Sequence, residues 1–224
     1  MPQQTAVIIG SSGLIGEALT SLLLQDDRFS QVRILVRRPV SLRHPKLDIR
    51  VVNFDEPDEL SAQLGNGDCL FCCVGTTQKK VKGDKQAYRK VDYDIPITTA
   101  RLGITNGFRQ YLLVSAVGAN PNSGNFYLQL KGSVEEDLTV LPYQAIHIFR
   151  PSLLLGHRQE SRTGEKIAQV LMPALSFLLQ GPLRKYRAIG ARQVAQAMTV
   201  AALSGEAGVH VYQYDQIKQL SKNV

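Results

Sequence analysis

The sequence has little cysteine, little histidine and no tryptophan: 3 Cys, 4 His and 0 Trp in 224 residues. Cys69, Cys72 and Cys73 all lie in one run, Asp68-Cys-Leu-Phe-Cys-Cys-Val74. No separated partners exist for a disulfide framework, and an odd count suits a reducing cytosol. The spacing invites a zinc reading. However, no fourth ligand is close by, and strand alternation would send Cys72 and Cys73 to opposite faces. We therefore expect no metal there and read the thiols as small filler of a buried strand. Long apolar runs are also missing. The greasiest late stretch, Val170 to Leu183, is broken by Pro173, Gln180 and Pro182 and is too short to span a bilayer. The start, Met1-Pro2-Gln3-Gln4, has no basic segment, so neither a signal peptide nor a membrane role is expected, and a cytoplasmic setting is. His44, His147 and His210 show no partner spacing and are assigned no role. Repeats and low-complexity stretches are absent.

What is there describes an ordinary folded chain. Apolar residues make up 44% and charged residues 20%, with a mean hydropathy of −0.09, which excludes disorder. At about 150 residues per domain the length predicts one compact unit with a small appendage. Lys and Arg number 26 against 19 Asp and Glu, a formal charge of +7. Three explanations are open: a polyanion, a phosphorylated ligand, or a solubilising surface.

The apolar runs are short, β-branched and separated by helix-like segments. Strands are expected at 5–9, 32–36, 48–52, 69–74, 110–114, 143–149 and 209–212. Helices are expected at 14–24, 57–64, 85–93, 95–106, 127–139, 164–179 and 192–203. Strands apolar on both faces, alternating with helices, imply a parallel sheet covered on both sides. The expected fold is α/β, a Rossmann-type doubly wound parallel sheet with a small C-terminal substrate-side extension. Residues 1–150 would form the Rossmann part, and residues 151–224 a small region packed on it within one structural unit.

Directly after the first strand stands Gly10-Ser11-Ser12-Gly13-Leu14-Ile15-Gly16, followed by helix. A dinucleotide pyrophosphate must approach backbone N–H groups at a helix N-terminus, and a Cβ in that turn would block it. Gly10 permits the turn, Gly13 the approach, and Gly16 the packing of helix on strand. Ser12, Leu14 and Ile15 complete this cradle. NAD-preferring sites carry an acidic residue about twenty residues on, at the end of the second strand. Here that end reads Leu35-Val36-Arg37-Arg38-Pro39. Two guanidiniums stand where a 2′-phosphate would lie, and a guanidinium binds phosphate through a planar fork. The reading is NADP(H) over NAD(H); the alternative is two solvated loop arginines. Asp55, after the third strand, is placed to accept from the adenine amino group.

Ser115 follows the fifth strand, and Tyr127-Leu-Gln-Leu-Lys131 opens the next helix. Positions i and i+4 share a helix face, so Lys131 sits beside Tyr127. A free phenol near pKa 10 is a poor base, but a neighbouring ammonium favours the phenolate. Ser115 can hold the substrate oxygen, and Lys131 can bind the nicotinamide ribose. The spacing alone does not discriminate, since Tyr214-Asp-Gln-Ile-Lys218 repeats it near the C-terminus. Only the first copy follows a glycine turn and a strand-then-serine, so the second is read as a decoy.

This combination resembles the short-chain dehydrogenase/reductase superfamily. More narrowly, it resembles the atypical branch of the Tat-interacting protein family and its bacterial relatives. The narrower match rests on Phe71-Cys-Cys-Val-Gly-Thr-Thr77, Leu113-Val-Ser-Ala-Val-Gly-Ala-Asn120, Phe126-Tyr-Leu-Gln-Leu-Lys-Gly132 and Phe149-Arg-Pro-Ser-Leu-Leu-Leu155. It continues through Arg158-Gln-Glu-Ser-Arg-Thr-Gly-Glu165. The resemblance implies a Rossmann fold, NADPH binding and a Ser115–Tyr127–Lys131 set. It also implies that Val74, Gly75, Thr76 and Thr77 line the cofactor and that Pro151, Leu153 and Leu154 back the nicotinamide. Two departures stand out. Ala116-Val117 follow Ser115 where eukaryotic relatives are more polar. The chain also begins without their extra N-terminal helix, so whether their protein-partner functions carry over stays open.

The densest basic run, Gln78-Lys-Lys-Val-Lys-Gly-Asp-Lys85 with Arg89 and Lys90, lacks the aromatic interleaving of a nucleic-acid surface. It reads as a solvated face at the ligand edge of the sheet, and no nucleic-acid partner is expected. His157, Arg158, Glu160, Ser161, Arg162 and Glu165 read as an ion-paired loop or a substrate contact. The expected activity is hydride transfer between NADP(H) and a small carbonyl or alcohol, with Tyr127 as acid/base. The alternative is a non-catalytic NADPH-binding sensor.

Overall fold

The computed structural model describes residues 3–77, 81–156 and 179–223. The expected helix at 164–179 and the 157–165 polar cluster therefore lie almost wholly outside the described residues, as do Lys79 and Lys80. The first half runs β1 (Gln4–Ile9), α1 (Leu14–Gln25), β2 (Phe29–Val36), β3 (Leu47–Val51), α2 (Pro57–Leu64) and β4 (Cys69–Cys72). Next come α3 (Lys85–Arg89), a turn of π-helix (Lys90–Asp94), α4 (Ile95–Thr105), β5 (Gln110–Val114), α5 (Phe126–Thr139) and β6 (Ala145–Phe149). The rest comprises β7 (Leu154–Leu155), a 3₁₀ turn (Gly181–Tyr186), β8 (Ile189–Gly190), α6 (Ala191–Leu203), β9 (Gly208–Tyr212) and α7 (Tyr214–Leu220).

Seven parallel strands form the central sheet in the order β3-β2-β1-β4-β5-β6-β9. The order reverses at β1, between β2 and β4, and ligands of such sheets bind in the crevice outside the strand ends at that point. The doubly wound fold read from the sequence is borne out.

The period of β1 shows how one strand serves two layers. Ala6 and Ile8 face a core shared with α1 and α6, while Val7 and Ile9 face a core shared with α2, α4 and α5. Small residues on α6 (Ala191, Ala195, Ala197, Ala201 and Ala202) are all buried there. The C-terminal segment thus supplies both a covering helix and the last strand of the same sheet, with Ile146 opposite Val209 and Ile148 opposite Val211.

Two helices expected at 85–93 and 95–106 run on through the π-turn instead of breaking. Pro96 has no N–H, so the α-helical bond to residue 92 cannot form. One wider turn absorbs the defect, with the Ile95 N–H donating to the Lys90 carbonyl five residues back. Asp92 sits in that turn, fully buried. The last helix, α7, was not expected. It carries the decoy pair Tyr214 and Lys218.

Candidate active site

The glycine turn comes first. The Gly10 carbonyl accepts from Gly13 N–H at 3.1 Å, and Gly10 has φ +83°. A Cβ on Gly10 would meet the Cys73 carbonyl carbon and Val74 nitrogen at 2.7 Å, because the chain leaving β4 lies against it. Gly16 packs on the turn itself: its Cβ would stand 2.2 Å from the Gly10 carbonyl oxygen. Gly13 caps α1 without any side chain to occupy the first N–H groups, which leaves them for an anion. Its own Cβ would meet nothing closer than 3.3 Å.

A cleft of about 750 Å³ opens at this turn. It is lined by Gly13, Leu14 and Ile15 from the turn and by Cys73, Val74, Gly75, Thr76 and Thr77 after β4. Val114, Ser115, Ala116 and Val117 line it after β5, Tyr127 and Lys131 from α5, and Pro151 to Leu154 after β6. Tyr88, Asp92 and Tyr186 complete the wall. Three sequence-predicted stretches and the proposed proton-transfer trio thus share one cavity.

Other predicted residues stand outside that lining. Gly10 and Gly16 shape the turn from behind, and Ser12 is exposed. Arg37 and Arg38 are exposed just past the end of β2. Asp55 faces a separate hollow of about 450 Å³, between the end of β3 and α3–α4. There its carboxylate holds Lys90 Nζ at 2.6 Å.

Lys131 is almost fully buried, and its Nζ lies 3.0 Å from Asp92 Oδ1. Asp92 Oδ2 accepts from the Thr76 backbone N–H at 2.8 Å. One carboxylate therefore ties the lysine to the loop after β4. Burial pulls the Lys131 pKa down, but Asp92 first and Tyr127 second outweigh it, so it stands above the ordinary lysine value. Tyr88 packs edge-on against Tyr127, ring centroids 6.2 Å apart, and its hydroxyl donates to the Thr76 carbonyl at 3.3 Å.

Ser115 is 4% exposed, and its backbone N–H donates to the Phe149 carbonyl at 2.7 Å. Its hydroxyl donates to the buried Glu135 carboxylate. Glu135 in turn is gripped by Arg150, whose Nε lies 3.0 Å from both oxygens. Asp92, Glu135 and Arg150 were not picked out from sequence. Asp92 gave no signal beyond its place in Lys-Val-Asp-Tyr-Asp. Glu135 did, because Tyr127, Lys131 and Glu135 recur every four residues on α5.

A bound dinucleotide fits these residues: a side-chain-free helix N-terminus at one part of the lining, the part-exposed Tyr127 beside the buried Lys131–Asp92 pair at another. The comparisons with known proteins agree. A family model described as NAD(P)H-binding matches residues 10–141, more than half of the chain. Protein HTATIP2 of Rattus norvegicus is 34% identical over 178 residues, covering 78% of this chain and 73% of the relative. The chain belongs to the NAD(P)H-binding, atypical short-chain dehydrogenase/reductase family.

Protein FMP52, mitochondrial, of Coccidioides immitis is 29% identical over 216 residues, covering 91% of this chain and 87% of its own. Two solved structures share the fold of this family member. A UDP-N-acetylglucosamine 4-epimerase from Methanobrevibacter ruminantium, solved with UDP-N-acetylmuramic acid, superposes with TM-score 0.71 at 17% identity, covering 99% of this chain and 81% of its own. The Bordetella bronchiseptica enzyme WbmH, solved with NAD+, gives TM-score 0.71 at 16% identity, covering 98% and 80%. Among the described residues no helix is long and apolar enough to cross a membrane.

Proposed function

We propose that the protein is an NADP(H)-dependent oxidoreductase acting on a small carbonyl or alcohol. The observation that carries this is the meeting of Tyr127, Lys131 and Ser115 in the cleft that the Gly13-capped start of α1 also lines. A nicotinamide bound there supplies or accepts the hydride. Tyr127 Oη gives the proton to the carbonyl oxygen in reduction and takes it from the alcohol in oxidation. Lys131, anchored by Asp92, keeps a positive charge beside the phenolate that results and binds the ribose hydroxyls. Ser115 holds the substrate oxygen. The N–H groups around Gly13, Leu14 and Ile15 take the pyrophosphate, and Val74 to Thr77 line the cofactor. Pro151, Leu153 and Leu154 back the nicotinamide, and Arg37 and Arg38 take the 2′-phosphate. Asp55 accepts from the adenine amino group. The proposed setting is cytoplasmic.

Tyr127→Phe tests this reading. Loss of the acid/base should lower NADPH-dependent carbonyl turnover by about 100-fold or more. The NADPH dissociation constant, read by calorimetry, should stay within about twofold, since the phenol's contribution is to proton transfer. Wild-type turnover in the variant removes Tyr127 from the mechanism. Tight NADPH binding by a wild type that turns over no carbonyl would favour a sensor instead.

A further inference from the structure

Two pairs of side chains on neighbouring helices stand rung against rung. On α5, Tyr127 and Lys131 are four residues apart, and so are Tyr88 and Asp92 on the helix that runs through the π-turn. Tyr88 packs its ring edge-on against Tyr127, with centroids 6.2 Å apart and planes at 72°. It meets Phe126, the first residue of α5, in the same way at 5.9 Å and 79°. One turn on, Asp92 Oδ1 holds Lys131 Nζ at 3.0 Å. An aromatic rung thus lies beside a charged one. Both are fastened to one residue of the loop after β4. The Thr76 N–H donates to Asp92 Oδ2 at 2.8 Å, and the Thr76 carbonyl accepts from the Tyr88 hydroxyl at 3.3 Å. Tyr88 is 6% exposed, and it lines the cleft with Tyr127 and Lys131. A phenylalanine would fill the same space. The hydroxyl is what ties this ring to the loop.

We propose that Tyr88 is a positioning residue for the proton donor: fastened to Thr76, it holds the Tyr127 ring in line with Lys131. This rests on the oxidoreductase reading of the site and adds a residue that acts through Tyr127. Asp92 places the ammonium, Tyr88 places the phenol, and Thr76 keeps the two placements in step. The loop that lines the cofactor site therefore also aligns the group that moves the proton. Alignment of this kind matters steeply, since a misplacement of about 1 Å can cost about 100-fold in rate.

Two variants of the full chain separate the ring from its fastening. Tyr88→Leu removes both, and Tyr88→Phe keeps the ring and gives up the bond to Thr76. With NADPH and 4-nitrobenzaldehyde, kcat should fall about 100-fold in Tyr88→Leu. In Tyr88→Phe it should fall about fivefold, the loss of one neutral hydrogen bond. The aldehyde KM, and the NADPH dissociation constant read by calorimetry, should stay within about threefold, because alignment serves the transition state and not binding. Wild-type kcat in either variant overturns the proposal, and so does a loss confined to KM.

An unfolded fraction would also lower kcat, so the ionisation of Tyr127 provides the second readout. Among the described residues, Lys131 and Asp92 are the charged groups of the cleft lining, and Cys73, Tyr88 and Tyr186 its other titratable ones beside Tyr127. The phenol's midpoint thus reports its distance from the Lys131 ammonium. In the chain labelled with [13Cζ]tyrosine and saturated with NADP+, the Tyr127 resonance is assigned by its loss in Tyr127→Phe. Its midpoint should rise by about one pH unit in Tyr88→Leu, as the ring withdraws from the ammonium. In Tyr88→Phe the rise should be about a third of that. Unmoved midpoints overturn the positioning role whatever kcat does. If Tyr88→Leu fails to fold, the rate and midpoint of Tyr88→Phe decide alone. If the wild type turns over no aldehyde, the oxidoreductase reading is the one that suffers, and the midpoints still decide the placement of Tyr127.

Discussion

Asp92 and Lys131 form a buried pair at hydrogen-bond distance, and such pairs are far more costly to break than to replace. Asp92→Asn keeps an acceptor for Thr76 but removes the counter-charge. It should lower unfolding free energy by about 3–5 kcal/mol, measured by urea denaturation, and should depress turnover. The double replacement Asp92→Asn with Lys131→Met should recover most of that stability and none of the turnover. Failure of the double variant to recover would mean that the loss does not come from leaving Lys131 as an unpaired buried charge. The exposed pair Arg37 and Arg38 makes the opposite kind of prediction, about a ligand and not the fold. Hydrogen bonds to charged groups contribute about 1.5–3 kcal/mol. Replacing both arginines with Ala should therefore weaken NADPH binding about tenfold or more while leaving NADH affinity nearly unchanged. Equal wild-type affinities for the two cofactors would remove the phosphate reading. The contrast explains what a sequence can say of a site. Gly13, Tyr127 and Lys131 were legible because local spacing on one turn or one helix brings them together. Asp92 reaches Lys131 only through the contact of two helices 39 positions apart, which no local pattern encodes.

Local period also explains which elements were legible. The strand at Gln110–Val114 and the helix at Pro57–Leu64 coincide with expectation, because Pro57 starts the one and a dense apolar run fills the other. The π-turn was not legible, since it answers a backbone defect at Pro96 through wider hydrogen bonding that leaves side-chain period nearly unchanged. Nor was α7, whose short sequence carries one buried anchor, Ile217. At this scale the glycine turn before α1 is tightly constrained. A methyl group on Gly16 would lie 2.2 Å from the Gly10 carbonyl oxygen and 2.9 Å from the Ser11 Cα. These are backbone atoms that no side-chain rotation relieves. Gly16→Ala should destabilise by about 3 kcal/mol, the upper range for overpacking, which for a chain of this size is about 6–12 °C in Tm. NADPH affinity should fall with it, because the turn that presents Gly13 must shift. Thermal unfolding with and without NADPH checks both. An unchanged Tm would mean that the turn yields far more easily than its contacts indicate.

On the scale of the whole molecule, the last strand makes stability depend on pH. Parallel pairing sets His147 of β6 opposite His210 of β9. The two rings stack 5.2 Å apart, and His147 Nδ1 lies 3.0 Å from the Tyr212 hydroxyl. Burial, and secondarily the charge His210 can carry, push His147 down to about 4 from the ordinary 6.5. Between those two values the unfolded chain binds a proton that the folded chain refuses, so stability falls as pH falls through that window. The loss from this one group reaches about 3 kcal/mol once pH is below the folded value. Asp26 and Asp48 carry lowered carboxyl pKa values, Asp26 first through its hydrogen bond with Arg28 and Asp48 through Arg33 and Arg50 against its own burial. Their contributions are lost at more acidic pH, as the carboxylates protonate. A series of Tm measurements from pH 7.5 to 4.5 should therefore decline before the carboxylates titrate. In His147→Gln, which cannot charge, the decline between 6.5 and 4.5 should be much shallower. An equal slope in both proteins would assign the acid sensitivity elsewhere, and the stacked ladder joining β9 to the sheet would then be a packing feature without a titrating role.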